Sequence, residues 1–115
     1  MKELFKSFSY ALNGIAATFS EQRNMKIHLA VAIVVIGAGF YFRISNFEWL
    51  AITIVIGFVF TAELFNTSIE YIVNMISAEH RSSAGKIKDI AAGAVLVSAI
   101  TSIVVGVLIF KNYIF

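Results

Sequence analysis

Apolar residues fill the chain in three long stretches separated by short polar ones. From Ile90 to Phe110 there is no charge, and the next one is Lys111. That length matches the roughly 20 residues needed to cross a bilayer. A second apolar stretch runs from Ile27 to Phe42, interrupted only by His28, and ends at Arg43, which can reach the interface with its long stem. The remaining one is uncharged from Trp49 to Ala62 and continues as a helical pattern through Glu63, Asn66, Glu70 and Asn74 to about Ala78. The pattern predicts spans over 27–43, 48–78 and 89–111, and the absence of proline leaves nothing to stop or kink them internally. Ahead of them, Leu4, Phe5, Phe8, Leu12, Ile15 and Phe19 recur at helical spacing, with Lys2, Glu3, Lys6, Ser7 and Asn13 elsewhere on the wheel. Residues 2–20 are therefore expected to form an amphipathic helix lying in the membrane interface. They lack the continuous apolar centre and small-residue cleavage site of a signal peptide. The predicted connections are Arg43 to Glu48 and Glu79 to Lys88, the second with Ser82, Ser83 and Gly85 as loop residues.

Composition agrees. Of 115 residues, 59% are apolar and 14% charged, against roughly half and a quarter in soluble domains. The expected fold is a single all-α integral membrane domain over 1–115, since a soluble domain this small could not hide so much apolar surface. Without cysteine there is no disulfide framework, thiolate zinc site or cysteine nucleophile. A net charge of +2 gives no reason to expect nucleic acid as a partner. The placement of charge says more. Lys2, Lys6, Arg23, Lys26, Arg81, Lys86 and Lys88 fall on one side of three spans, and Arg43 and Lys111 on the other. Seven against two predicts a cytoplasmic N-terminus and second loop.

At about 100° per residue, Glu63 and Glu70 lie within roughly 20° of each other, and Asn66, Thr67 and Asn74 within roughly 60° of that line. With hydrocarbon starting near Trp49, Glu63 sits roughly 21 Å in and Glu70 roughly 31 Å in, at the cytoplasmic boundary of a core about 30 Å thick. One Asn or Thr here would read as glue between helices. Two carboxylates and two Asn on one face mark a functional site. Three spans are too few to surround Glu63, so neighbouring chains are expected to shield it. Further polar residues gather at the same level: Glu21, Gln22, Arg23 and Asn24 before the first span, and Glu79, His80, Arg81, Lys86, Lys88 and Asp89 around the second loop. Lys88 and Asp89 are expected to open a helix whose N–H groups can receive phosphate. Carboxylates and amides suit Mg²⁺, and cations suit a polyphosphate, although basic loops also simply mark topology. His28 and His80 have no second histidine at metal spacing and read as structural. Ala94, Ser98, Ser102 and Gly106 recur every four residues, a small-residue stripe for close helix packing. No P-loop, dinucleotide fingerprint or H-E-x-x-H motif is present.

The run ELFNTSIE from Glu63 to Glu70, followed by KDIAAGAVL from Lys88 to Leu96, resembles the prokaryotic diacylglycerol kinase family, which includes undecaprenol kinases of Gram-positive bacteria. The resemblance covers nearly the whole chain. It implies a homotrimer of three-span protomers with a surface helix and shared active sites, transferring the γ-phosphoryl of MgATP to a lipid alcohol in the bacterial cytoplasmic membrane. On that resemblance Glu63 corresponds to the general base and Asn66 to its companion, and Glu70 to a Mg²⁺ ligand. Lys88 and Asp89 correspond to residues at the nucleotide phosphates, and Tyr10, Glu79, His80 and Arg81 to nucleotide-contacting positions. The family's other metal-binding Glu falls on Gln22, with Glu21 beside it, so either Glu21 takes the role or the site is altered. The family's Asp after the second Glu is Asn74, and its N-terminal basic residue is met by Lys2 or Lys6. RNMKIH, AAGAV and Ala92, which stands where diacylglycerol kinases carry a hydroxyl residue, favour undecaprenol over diacylglycerol. The alternative is a non-enzymatic bundle or a small transporter using Glu63 as a proton or cation site. It would need a polar path, yet Trp49 to Ala62 offers only Thr53 and Thr61.

Overall fold

The computed structural model describes residues 1–76 and 82–115, and they form four helices and no strand. These are α1 (Lys2–Glu21), α2 (Arg23–Phe42), α3 (Asn46–Ile76) and α4 (Ser82–Ile114). The last three are long and apolar enough to span a membrane. At about 1.5 Å per residue, the 31 residues of α3 reach about 46 Å, well past a hydrocarbon core of about 30 Å.

Each helix end has a local cause. At Gln22 the backbone turns extended (φ −102°, ψ 119°), which separates α1 from α2 with a single residue. α2 ends at Arg43, the one described non-glycine residue with positive φ (52°). The Arg43 N–H bonds to the Phe40 carbonyl (3.3 Å) and that of Ile44 to the Gly39 carbonyl (3.2 Å), the paired pattern of a Schellman turn. Two residues on, Ser45 and Glu48 close a capping box: the Ser45 N–H donates to Glu48 Oε1 (2.9 Å) and the Glu48 N–H to Ser45 Oγ (3.2 Å). This turn over 43–45 agrees with the predicted connection.

The second connection differs from expectation. α4 begins at Ser82, so Ser83 and Gly85 are helical and Lys88 and Asp89 lie in its second turn and not at its opening. The serine and glycine read as loop residues are overridden: one helical glycine costs only about 1 kcal/mol, and packing recovers it, since Gly85 and Ala84 are buried. Glu79, His80 and Arg81 lie outside the described residues.

α3 and α4 pack antiparallel along their length, while α2 and α1 touch α3 more briefly. Along the seam α3 covers Ile52, Ile56, Val59, Glu63, Asn66, Glu70 and Val73, and α4 covers Ala84, Lys88, Ala91, Val95, Ser98, Ser102, Val105 and Ile109, with Thr67 and Gly85 buried beside them. Both series alternate steps of four and three, the 3.5-residue repeat of a two-helix seam. Of the α4 small-residue stripe, Ser98 and Ser102 face this seam inside the chain, whereas Ala94 is exposed. At the Trp49 end, Ile44, Ile52 and Ile109 form a small core with Phe42, Trp49 and Phe110 against it.

Gly39 is the glycine this packing requires. A Cβ there would stand 2.6 Å from the Trp49 ring and 3.2 Å from Ile44 Cδ1. Gly39→Ala is expected to lower stability by about 1–3 kcal/mol, read as a lower thermal midpoint in detergent, whereas Gly14→Ala, with nothing within 4 Å, is expected to leave it unchanged or higher.

Candidate active site

Glu63 occupies the middle of the α3 seam and is 1% exposed. Two hydrogen bonds set the register around it: Lys88 Nζ donates to Asn74 Oδ1 (2.6 Å) on one side, and Ser102 Oγ to the Val55 carbonyl (3.4 Å) on the other. Between these points Glu63 falls opposite the Val95–Ser98 stretch of α4, where Ser98 is small and fully buried with its hydroxyl bonded to the Val95 carbonyl (2.7 Å).

Shielding of Glu63 does not require a second copy. The single chain buries it, because the end of α1 folds back onto α3, with the Phe19 and Phe60 rings 5.7 Å apart, and because α2 brings His28 to it. α1, assigned by its pattern to the membrane surface, packs on α2 and α3, and Thr18 of α1 and Met25 of α2 are both buried.

His28 Nε2 lies 3.4 Å from Glu63 Oε1, close enough for an ion pair if the imidazole is protonated, yet not in hydrogen-bond geometry. Among the described residues three buried polar atoms lack a partner: Glu63 Oε1, Asn66 Oδ1 and Thr67 Oγ1. Buried polar atoms are nearly always satisfied, so three orphans on adjacent turns of one helix mark a place built to receive donors or a cation. Asn66 uses its other end to donate from Nδ2 to Glu70 Oε1 (3.3 Å).

The carboxylates near the boundary sort themselves around Tyr71, whose hydroxyl faces Glu21 and lies within the field of Glu70. Glu21 of α1 thus meets α3 at the residue after Glu70. Gln22, the position the family resemblance pointed to, is the extended residue between α1 and α2. Among the described residues no cluster of three or more His, Asp or Glu could hold a metal alone. Mg²⁺ needs few protein oxygens, because it takes its other ligands from water and substrate phosphates. Lys88 reaches the same end of the bundle through Asn74, and Asp89 is exposed one residue on. Tyr10 is 70% exposed on α1, about three turns from Glu21, and the structure does not bring it to the carboxylates.

Toward Trp49 the seam loses its polarity. Val59, Ile56 and Ile52 follow Glu63, and the Ser102 hydroxyl is taken up by the Ser98 and Val55 carbonyls. Among the described residues there is no polar path onward from Glu63, and the transporter alternative gains nothing. His28 is what residue-by-residue reading missed. Its signal was available, a lone polar residue interrupting an apolar span, but only the packing of α2 on α3 shows what it meets.

A polar site at one end of a bundle of three helices long and apolar enough to cross a membrane fits a membrane-embedded enzyme. The chain belongs to the prokaryotic diacylglycerol kinase family, whose model matches residues 9–110, and it is a lipid kinase. It is 43% identical over 110 residues to the undecaprenol kinase of Bacillus subtilis, covering 96% of this chain and 89% of that one. It is 35% identical over 104 residues to a diacylglycerol kinase of Synechocystis sp., covering 90% of this chain and 59% of that one. A diacylglycerol kinase of Haemophilus influenzae is 24% identical over 111 residues, covering 96% and 94%.

Removing the orphaned Thr67 hydroxyl, which is buried with its residue 3% exposed, should relieve a desolvation penalty of about 1–3 kcal/mol. Thr67→Val is expected to raise the thermal midpoint of the ligand-free protein in detergent.

Proposed function

We propose that the protein transfers the terminal phosphoryl group of MgATP to a lipid alcohol at the cytoplasmic face of a bacterial membrane, with undecaprenol the favoured acceptor and diacylglycerol next. The observation that carries this is the buried, unpartnered Glu63 carboxylate oxygen at the polar end of the α3–α4 seam. In the reaction the acceptor hydroxyl oxygen attacks the terminal phosphorus, the bond from phosphorus to the bridging oxygen breaks, and ADP leaves. The hydroxyl proton passes to Glu63, the general base, with Asn66 beside it. Phosphoryl transfer asks a protein chiefly for positioning and charge neutralisation. Glu70 and Glu21 are the residues to hold Mg²⁺, which when bound neutralises charge on the triphosphate. On this reading Lys88, Asp89, Glu79, His80, Arg81 and Tyr10 are the residues assigned to the nucleotide. The preference for undecaprenol rests on the greater likeness to the Bacillus enzyme and on Ala92.

In the same reading α1 lies in the interface with its N-terminus in the cytoplasm, consistent with the exposed Leu4, Phe5, Phe8 and Leu12. The active unit is a homotrimer. A face of α3 turned away from α4, carrying Ile54, Phe58, Phe65 and Ile72, is exposed in the single chain and free to meet other copies.

The decisive assay offers purified protein in micelles labelled ATP, Mg²⁺ and a panel of lipid alcohols. Phosphorylated undecaprenol is the expected product, and no phosphorylated lipid from any acceptor sinks the reading. Glu63→Gln is expected to reduce turnover at least a thousandfold with elution volume unchanged; near-wild-type turnover would remove Glu63 as the base. Chelation of Mg²⁺ is expected to abolish transfer. Glu21→Ala should raise the Mg²⁺ concentration for half-maximal rate at least tenfold and Gln22→Ala less than threefold, and the reverse order would return the metal to Gln22.

A further inference from the structure

His28 stands where two features meet. One is the unpartnered Glu63 Oε1, 3.4 Å from its Nε2. The other is a groove of about 610 Å³ between α2, α3 and α4 that opens on His28 at one end and Lys111 at the other. Its walls are apolar, with Val31 and Val35 from α2, Val55 and Phe60 from α3, and Ile103 and Val107 from α4. Along α4 the lining runs from Ala99 to Phe115, about 24 Å at 1.5 Å per residue, most of the thickness of a hydrocarbon core. An apolar groove of that length with the His28 imidazole in its lining, and the buried Glu63 carboxylate 3.4 Å behind that ring, suits an alcohol on a long hydrocarbon chain.

We propose that His28 is a positioning residue for the acceptor, holding the alcohol oxygen between its ring N–H and Glu63 Oε1 while the hydrocarbon lies in the groove. The inference rests on the lipid alcohol proposed above as substrate. An oxygen about 2.8 Å from both atoms fits across a 3.4 Å gap. Such an oxygen accepts from the imidazole N–H and donates its proton to Oε1, which supplies the partner that Glu63 lacks. The remaining lone pair is then free to face the phosphorus. His28 also explains its own place in an otherwise apolar stretch. Its side chain is 21% exposed and serves as the one polar contact on the α2 wall.

Initial rates test this, with alcohol varied at saturating MgATP and ATP varied at saturating alcohol, for wild type, His28→Ala, His28→Gln and His28→Leu in micelles. His28→Ala and His28→Leu are expected to raise the KM for the alcohol at least tenfold and to leave the KM for ATP within twofold. His28→Gln, whose amide N–H can donate in the same direction, is expected to recover to within about threefold of wild type. An unchanged alcohol KM, an equal rise in the KM for ATP, or a Gln variant no better than Leu overturns the proposal. If His28→Ala does not fold, shown by its thermal midpoint and elution volume, the Leu and Gln pair carries the same comparison in a filled site. Wild-type protein inactive toward every alcohol removes the substrate reading and this inference with it, whereas active wild type with no His28 effect removes this inference alone.

Discussion

The seam between α3 and α4 decides where everything else can stand. In lipid, apolar side chains gain little by meeting one another, because the surrounding tails are equally apolar. Two helices stay together through close packing and polar contacts, and this pair uses both. Ala84, Ala91 and Ser98 on α4 are small and buried, which lets α3 approach. The bonds from Lys88 to Asn74 and from Ser102 to the Val55 carbonyl fix the register. With the register fixed, the 3.5-residue repeat that places Ile52 and Val59 inside also places Glu63 and Asn66 inside. The polar stripe and the packing face of α3 are the same face.

This identity explains what could and could not be read from residues alone. Hydrophobic length is a property of one segment, so the three spans and the turn over 43–45 were legible, and so was the stripe Glu63–Asn66–Glu70, because helical angles need no partner. Whatever depended on a second element was not. His28 looked like an isolated structural histidine because its meaning lies on α3. The start of α4 at Ser82 escaped because serine and glycine locally favour a loop, whereas burial of Ala84 and Gly85 against the bundle makes them helical. Single-chain burial of Glu63 escaped because α1 was assigned wholly to the membrane surface, while its Phe19 turns inward onto Phe60. Position alone did not separate Gln22 from Glu21, and what the structure adds is that Gln22 joins two helices with an extended backbone while Glu21 meets Tyr71.

The two ends of the bundle are built to different standards. At the Trp49 end polar groups find partners: Ser45 and Glu48 cap each other, Tyr113 on α4 donates its hydroxyl to Glu48, and Arg43 and Ile44 close the preceding helix. Aromatic rings fill the rest, with Phe40 on Trp49 at 4.8 Å and Phe42 between Phe110 and Tyr113. At the Glu63 end three buried polar atoms are left open. Each such atom costs about 1–3 kcal/mol, a burden that a fold with no use for them would shed by substituting apolar residues.

That asymmetry argues for chemistry at one end and against passage through the middle. A transporter has to solvate its cargo at successive depths, and below Glu63 the seam offers Val59, Ile56 and Ile52. A lipid kinase has the opposite requirement. Its acceptor arrives from hydrocarbon and its donor from water, so the site needs an apolar approach on one flank and charge on the other, meeting at one depth. In the reaction proposed above, the groove between α2, α3 and α4 is the apolar approach and Glu21, Glu70 and Lys88 the charged flank, with His28, in contact with Glu63, between them. A chain with 14% charged residues can meet that requirement because the polar end is the only place the reaction needs them.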